Sequence, residues 1–145
     1  MDGFRRVDGK TITFWPEYEA ANQVSDEMIL ELLREKQNAR VCFHLSPEAT
    51  QHDMLIAEWR ALYTFPMHRH KKPEIIQIIR GSMNLRLMGT MGVVRHRLFR
   101  DGGIHIPQGI WHQTVPTSNV IVYREIKPGP FVPTDNELWT GSDPE

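Results

Sequence analysis

From Met54 to Ile126 the apolar residues come in short or alternating runs divided by Pro, Gly and polar pairs. This is the pattern of a small, mainly β antiparallel barrel in which one face of each strand is buried. The runs predict strands over 54–59, 74–80, 82–88, 92–99, 104–107, 111–115 and 119–126. Gly89-Thr90-Met91-Gly92 predicts a hairpin between two of them, and Gly81 a tight turn after Glu74–Arg80. Past Ile126, the prolines Pro128, Pro130 and Pro133 withdraw donors and should end the sheet. Ahead of the barrel the period changes. Ser25 can cap a helix with Asp26 and Glu27 in its first turn, and Met28, Ile29, Leu32 and Leu33 form an apolar stripe ending near Gln37. That helix is expected to pack outside the barrel. Ser46-Pro47-Glu48 reads as a second, one- or two-turn helix start. Thr11–Trp15 is a candidate edge strand, and Leu138-Trp139 are candidate anchors for an otherwise polar tail.

A chain of 145 residues fits one folded unit. It divides into an N-terminal extension, 1–53, that packs on a barrel, 54–131, and a C-terminal tail, 132–145. With 17 basic and 18 acidic residues the net charge is −1, which argues against a nucleic-acid partner. Arg95, Arg97 and Arg100 form a local basic cluster, read either as a solvated hairpin face or as an attractor of anions. Cys42 is the sole cysteine, so no intramolecular disulfide forms, and it is expected to be a small buried hydrophobe. No apolar run reaches the roughly 20 residues a membrane span needs, and the N-terminus lacks a signal-peptide core, so a cytoplasmic protein is expected. Small barrels cover exposed sheet edges by pairing, which suggests a homodimer.

The chemistry concentrates in two boxes, His68-x-His70-x3-Glu74-x6-Gly81 and Pro107-x-Gly109-x2-His112. On an extended segment His68 and His70 leave the same face, Glu74 keeps their parity, and the Pro107–Gly109 turn delivers His112 from another strand. Alone, His68 and His70 could be a surface pair and Glu74 a solvated carboxylate, but together the boxes form a candidate ligand set. Three imidazoles and a carboxylate suit one divalent transition metal, Fe, Zn, Ni or Mn, and leave open coordination positions.

Four further residues are candidates. Tyr63 precedes the first box and could offer a phenol to substrate or pack at the barrel rim. His44 could hydrogen-bond substrate or transfer protons near neutral pH, or serve as a cap or surface histidine. Glu125 shares parity with Ile121 and Tyr123 and could point into the cavity as a base or be an exposed edge carboxylate. Alternation places His105 on the face opposite Ile104 and Ile106 without saying which face is interior, so it stays outside the ligand set.

The two boxes resemble the paired motifs of the cupin superfamily between about Pro66 and Pro116. Two departures stand out: Leu62 replaces a common glycine ahead of the first histidine, and Pro116 replaces the asparagine that often closes the second motif. Five stretches beginning at Arg40, Gln51, Tyr63, Ile106 and Glu125 are similar to the small WbuC cupins, many encoded beside O-antigen polysaccharide genes. The resemblance implies a single cupin jelly-roll barrel with one or two N-terminal helices. It also implies a metal held by His68, His70, Glu74 and His112, and a sugar or nucleotide-sugar substrate. Two functions follow as expectations: a metal-dependent oxygenase, isomerase or lyase acting on a small polar or anionic molecule, or a non-catalytic small-ligand sensor. Glu74, with Tyr63, His44 and Glu125, is the candidate catalytic set.

Overall fold

The structure, a computed structural model, describes residues 4–7, 12–16, 24–62 and 65–144. The strands are β1 (Phe4–Val7), β2 (Ile12–Pro16), β3 (Ala39–Cys42), β4 (Gln51–Trp59), β5 (His68–His70), β6 (Glu74–Arg80), β7 (Met83–Gly89), β8 (Gly92–Leu98), β9 (Gly103–Ile106), β10 (His112–Pro116), β11 (Val120–Pro128) and β12 (Asn136–Leu138). Among the described residues one α-helix, α1 (Asp26–Arg34), lies between β2 and β3. A seven-stranded sheet runs β1-β2-β3-β4-β11-β6-β9 and a five-stranded sheet runs β12-β5-β10-β7-β8. Apart from the parallel β2–β3 pair, the ladders are antiparallel. Two such sheets face to face make the expected jelly roll.

Register decides which residues look inward. Opposite partners in a ladder share a face, and on β4 and β11 the pairs Tyr123–Ile56, Glu125–Met54 and Lys127–His52 follow one another. Arg40 and Cys42 on β3 join that face through Ile56 and Met54, and Ile76 on β6 joins it through Glu125. The inner floor is apolar, with Ile76, Ile78, Met83, Leu85, Ile106 and Ile121 fully buried. The opposite face of the same sheet carries Ala39, Val41, Leu55, Ala57 and Val122, and α1 covers it with Ile29 and Leu32. The helix thus packs outside the barrel as its stripe requires. Ser25 Oγ accepts from Met28 N at 3.2 Å to cap it. It ends three residues short of Gln37, where Lys36 turns left-handed at φ 50°.

The second expected helix is absent. Ala49 N donates to Ser46 O, closing a turn, and the alternation of β4 takes over from Gln51 before any apolar stripe develops. The Thr11–Trp15 expectation is also corrected, because β2 is flanked by β1 and β3 and the edge is β1. The last long strand runs past Ile126 to Pro128, opposite Gln51, since a proline at a strand's end interrupts no later pairing. Gly81, at φ 83°, forms the turn predicted there; an added Cβ would sit 2.5 Å from Val120 O. No described helix is long and apolar enough to cross a membrane.

Candidate metal centre

Two strands bring the histidines together. His68 and His70 come from β5, His112 pairs directly with His68 from β10, and one ligand atom of each of the three lies within 4.8 Å of the others. Gly109, at φ 78°, donates its N–H to His70 O at 2.8 Å, so the turn before His112 is stitched to the strand that carries the other two rings. Glu74 begins β6 in the facing sheet. Its Oε1 is 2.8 Å from His112 Nε2 and its Oε2 is 3.5 Å from His70 Nε2. Both side chains are almost wholly buried.

The outer nitrogens of the rings are all engaged. His68 Nδ1 lies 2.9 Å from Pro66 O, His112 Nδ1 2.8 Å from Ile110 O, and His70 Nδ1 contacts Asn136 Oδ1. Each oxygen can only accept, so each Nδ1 carries the proton and each Nε2 turns an unshared pair inward. Burial first, then the neighbouring His112, holds His68 down at about 4, and burial also lowers His70, which keeps both neutral. For His112 and Glu74 burial works against charge, but their mutual contact outweighs it, raising the imidazole and lowering the carboxylate. His112 Nε2, although 2.8 Å from Glu74 Oε1, and Glu74 Oε2 each lack an aligned hydrogen-bond partner among the described residues. Buried donor atoms aimed at a common point without partners are what a metal ion would satisfy. His68, His70 and His112 are positioned to bind a metal, and the Glu74 carboxylate lies against two of them.

The histidines and Glu74 line a cavity of about 270 Å³ that reaches down the barrel past Glu125 to Glu58. Glu125 does face inward, as its parity allowed; its Oε1 is 3.5 Å from Lys127 Nζ, and burial followed by the charge of Glu74 pushes it to about 7. Glu58 is a site residue that sequence reasoning missed. It is 1% exposed, accepts from Thr114 Oγ1 at 3.1 Å and from Tyr123 OH, and burial lifts its carboxyl to about 7. The available signal was the alternation of β4, which puts Glu58 on the face of Ile56 and Met54.

Other candidates fall elsewhere. Tyr63 lies outside the described residues. His44 is buried beside the metal cavity rather than in it, stacked on His52 with centroids 4.0 Å apart, and burial lowers it to about 4. His105 is exposed on the outer face of β9, opposite Ile75. Arg95, Arg97 and Arg100 are exposed on and after β8, away from the cavity. Cys42 is buried, and burial pushes its thiol up to about 11.

No family model and no curated protein matches this chain. Solved structures do. A Shewanella oneidensis protein is similar with a TM-score of 0.61 at 12% identity, covering 81% of this chain and 86% of its own. Bacillus subtilis oxalate decarboxylase matches with a TM-score of 0.51 at 13% identity over 75% of this chain and 26% of that one. A structure from work on DMSP lyases matches with 0.51 at 13% identity, over 62% and 44%. At these identities the likeness is one of fold, a cupin-type jelly roll, and this chain spans about a quarter of the length of the oxalate decarboxylase.

Proposed function

We propose that this protein is a metal-dependent enzyme in which His68, His70, His112 and Glu74 hold one divalent ion, Fe, Zn, Ni or Mn. The observation that carries the reading is the set of three imidazoles, each with Nδ1 set against an oxygen and Nε2 turned to a buried centre beside a carboxylate. A bound ion would supply Lewis acidity to a hydroxyl, carbonyl or carboxylate of a small polar or anionic substrate. The chain itself supplies proton acceptors. Glu58, held at about 7 within the same cavity, can keep or release a proton near neutral pH. Resemblance to the WbuC cupins supports a sugar or nucleotide-sugar of polysaccharide metabolism as the substrate, and the enzymes among the fold neighbours support catalysis. We further propose a cytoplasmic homodimer, which light scattering would report as twice the chain mass.

The test combines elemental analysis with incubation of metal-loaded protein in a metabolite extract, with and without oxygen, followed by mass spectrometry. One equivalent of metal and metal-dependent consumption of a compound are expected. Absence of metal after reconstitution, or retention of one compound unchanged with no turnover, would overturn the enzyme reading.

A further inference from the structure

A second cavity of about 230 Å³ opens beside the first, and the two share Arg40, Met54, Lys127 and Asn136 in their walls. Its chemistry differs. Arg40 and Lys127 border both, but the metal cavity adds Glu58, Glu74 and Glu125, whereas the second adds two histidines, His44 and His52, and no carboxylate. Cross-strand register explains the grouping, since Lys127 faces His52 directly and Arg40 shares their inward face through Ile56 and Met54. Acidic Asp53 points to the other side of β4, where it is tied to Arg124.

The cations are only partly neutralised. Arg40 donates from Nε to Thr13 Oγ1 at 3.0 Å, and among the described residues it has no carboxylate partner. Lys127 approaches one, Glu125, at 3.5 Å, and that carboxylate is shared with the surroundings of Glu74. The histidines add hydrogen-bonding capacity. His44 Nδ1 lies 3.1 Å from Asp53 N and 3.3 Å from Asp53 O, and His52 Nε2 lies 3.0 Å from Pro47 O. A concave chamber with two cations and no anion is an electrostatic sink for a negatively charged group.

We infer that this chamber is an anion-binding subsite, and that the substrate is a two-ended molecule whose phosphate or carboxylate is held by Arg40 and Lys127 while an oxygen at its other end reaches the His68–His70–His112 centre. The metal end of this assignment rests on the proposed function; the anion end does not. Four residues line both spaces, which makes the two neighbours, and a molecule with a charge at one end and a metal-seeking oxygen at the other is what would occupy them together. This places the charge of a sugar phosphate or sugar acid in a defined pocket and separates it from the reacting end. Binding energy gained at the charged end can then position the other.

Inorganic phosphate and acetate are suitable probes, titrated into the full chain both metal-loaded and after chelation, with binding followed by calorimetry and by the ring-proton NMR signals of His44 and His52. Binding of one or both anions is expected in both states, with the tighter one naming the substrate's charged group. Arg40→Gln and Lys127→Gln should each weaken it roughly tenfold or more, the loss of one charge-assisted contact, without lowering metal content. Arg40 stands on β3, separated from the strand of Glu74 by β4 and β11, whereas Lys127 is on the neighbouring β11, so the Arg40 variant decides the matter if Lys127→Gln disturbs Glu74. Anion binding that disappears on chelation, or is unaffected by Arg40→Gln, would place the anion on the metal and overturn the subsite. Failure of either anion to bind wild type would also overturn it. A wild type that binds anions but never metal would instead sink the enzyme reading and leave the chamber standing.

Discussion

At the scale of single residues, the ligand set follows from parity and the rest of the site does not. His68, His70 and Glu74 stand at even spacings in one stretch, so their common face could be read directly. Glu58 and Thr114 meet across 56 residues, and no local pattern announces such a pair. Deleting an imidazole removes a donor outright, so His70→Ala or His112→Ala should strip most of the metal from purified protein, as read by elemental analysis. Glu74→Gln should cost less, because its amide oxygen still coordinates without the charge; equal losses would contradict that ranking. Glu58 gives a pH prediction. Burial raises its folded pKa to about 7 from an ordinary 4.5, so the folded state binds more protons than the unfolded one between those values. Its favourable contribution is therefore fully present below about 4.5 and is lost as pH rises through 7. Glu58→Gln, neutral at every pH, should melt increasingly above wild type as the buffer moves from pH 5 to pH 8. A difference in melting temperature that stays constant across this range would count against a buried, proton-holding carboxyl.

At the scale of elements, the strands of the repeating barrel pattern were legible, short β9 and β10 included, and the strands outside that pattern were mostly not. The runs predicted over 74–80, 92–99 and 119–126 correspond to β6, β8 and β11 within two residues at each end. Three-residue β5 and β12 offer too few positions for a period, and β3 lies in a stretch without alternation. Yet β12 matters to the site. It pairs with β5 as Asn136–His70 and Leu138–His68, and Arg69 clamps it by a 2.7 Å ion pair to Glu137 while lying over the Trp111 ring, which in turn packs edge-on against Trp139. Of the two expected tail anchors only Trp139 packs, while Leu138 stays exposed, and the strand before Trp139 sets the orientation of the metal-facing rings. Asn136 Oδ1 fixes the His70 tautomer, and removing such a partner typically costs 10- to 100-fold in metal affinity. Asn136→Ala should show a loss of that order in a competition titration against a chromogenic chelator, while circular dichroism stays that of the folded wild type. Unchanged affinity would show that β5 holds its rings without β12.

At the scale of the whole molecule, the candidate ligands come from both sheets: His68, His70 and His112 from the five-stranded one, Glu74 from the seven-stranded one. The sequence could place both boxes on strands, but the division between sheets depends on the order in which strands pair, which no local pattern encodes. That division has a thermodynamic consequence. An ion held by all four residues binds the folded chain and finds no comparable site in the unfolded one, so it stabilises the fold by mass action. At free metal about a thousandfold above the dissociation constant the gain is about 4 kcal/mol, which for a chain of this size corresponds to a rise on the order of 10 °C in melting temperature. Calorimetry before and after chelation should register that fall in wild type. Glu74→Gln tests the route, because without the carboxylate the ion rests almost wholly on one sheet. Its melting temperature should respond less to chelation at the same free metal concentration. A chelation response of equal size in both proteins would mean that the ion belongs to the histidines alone and does not tie the sheets together.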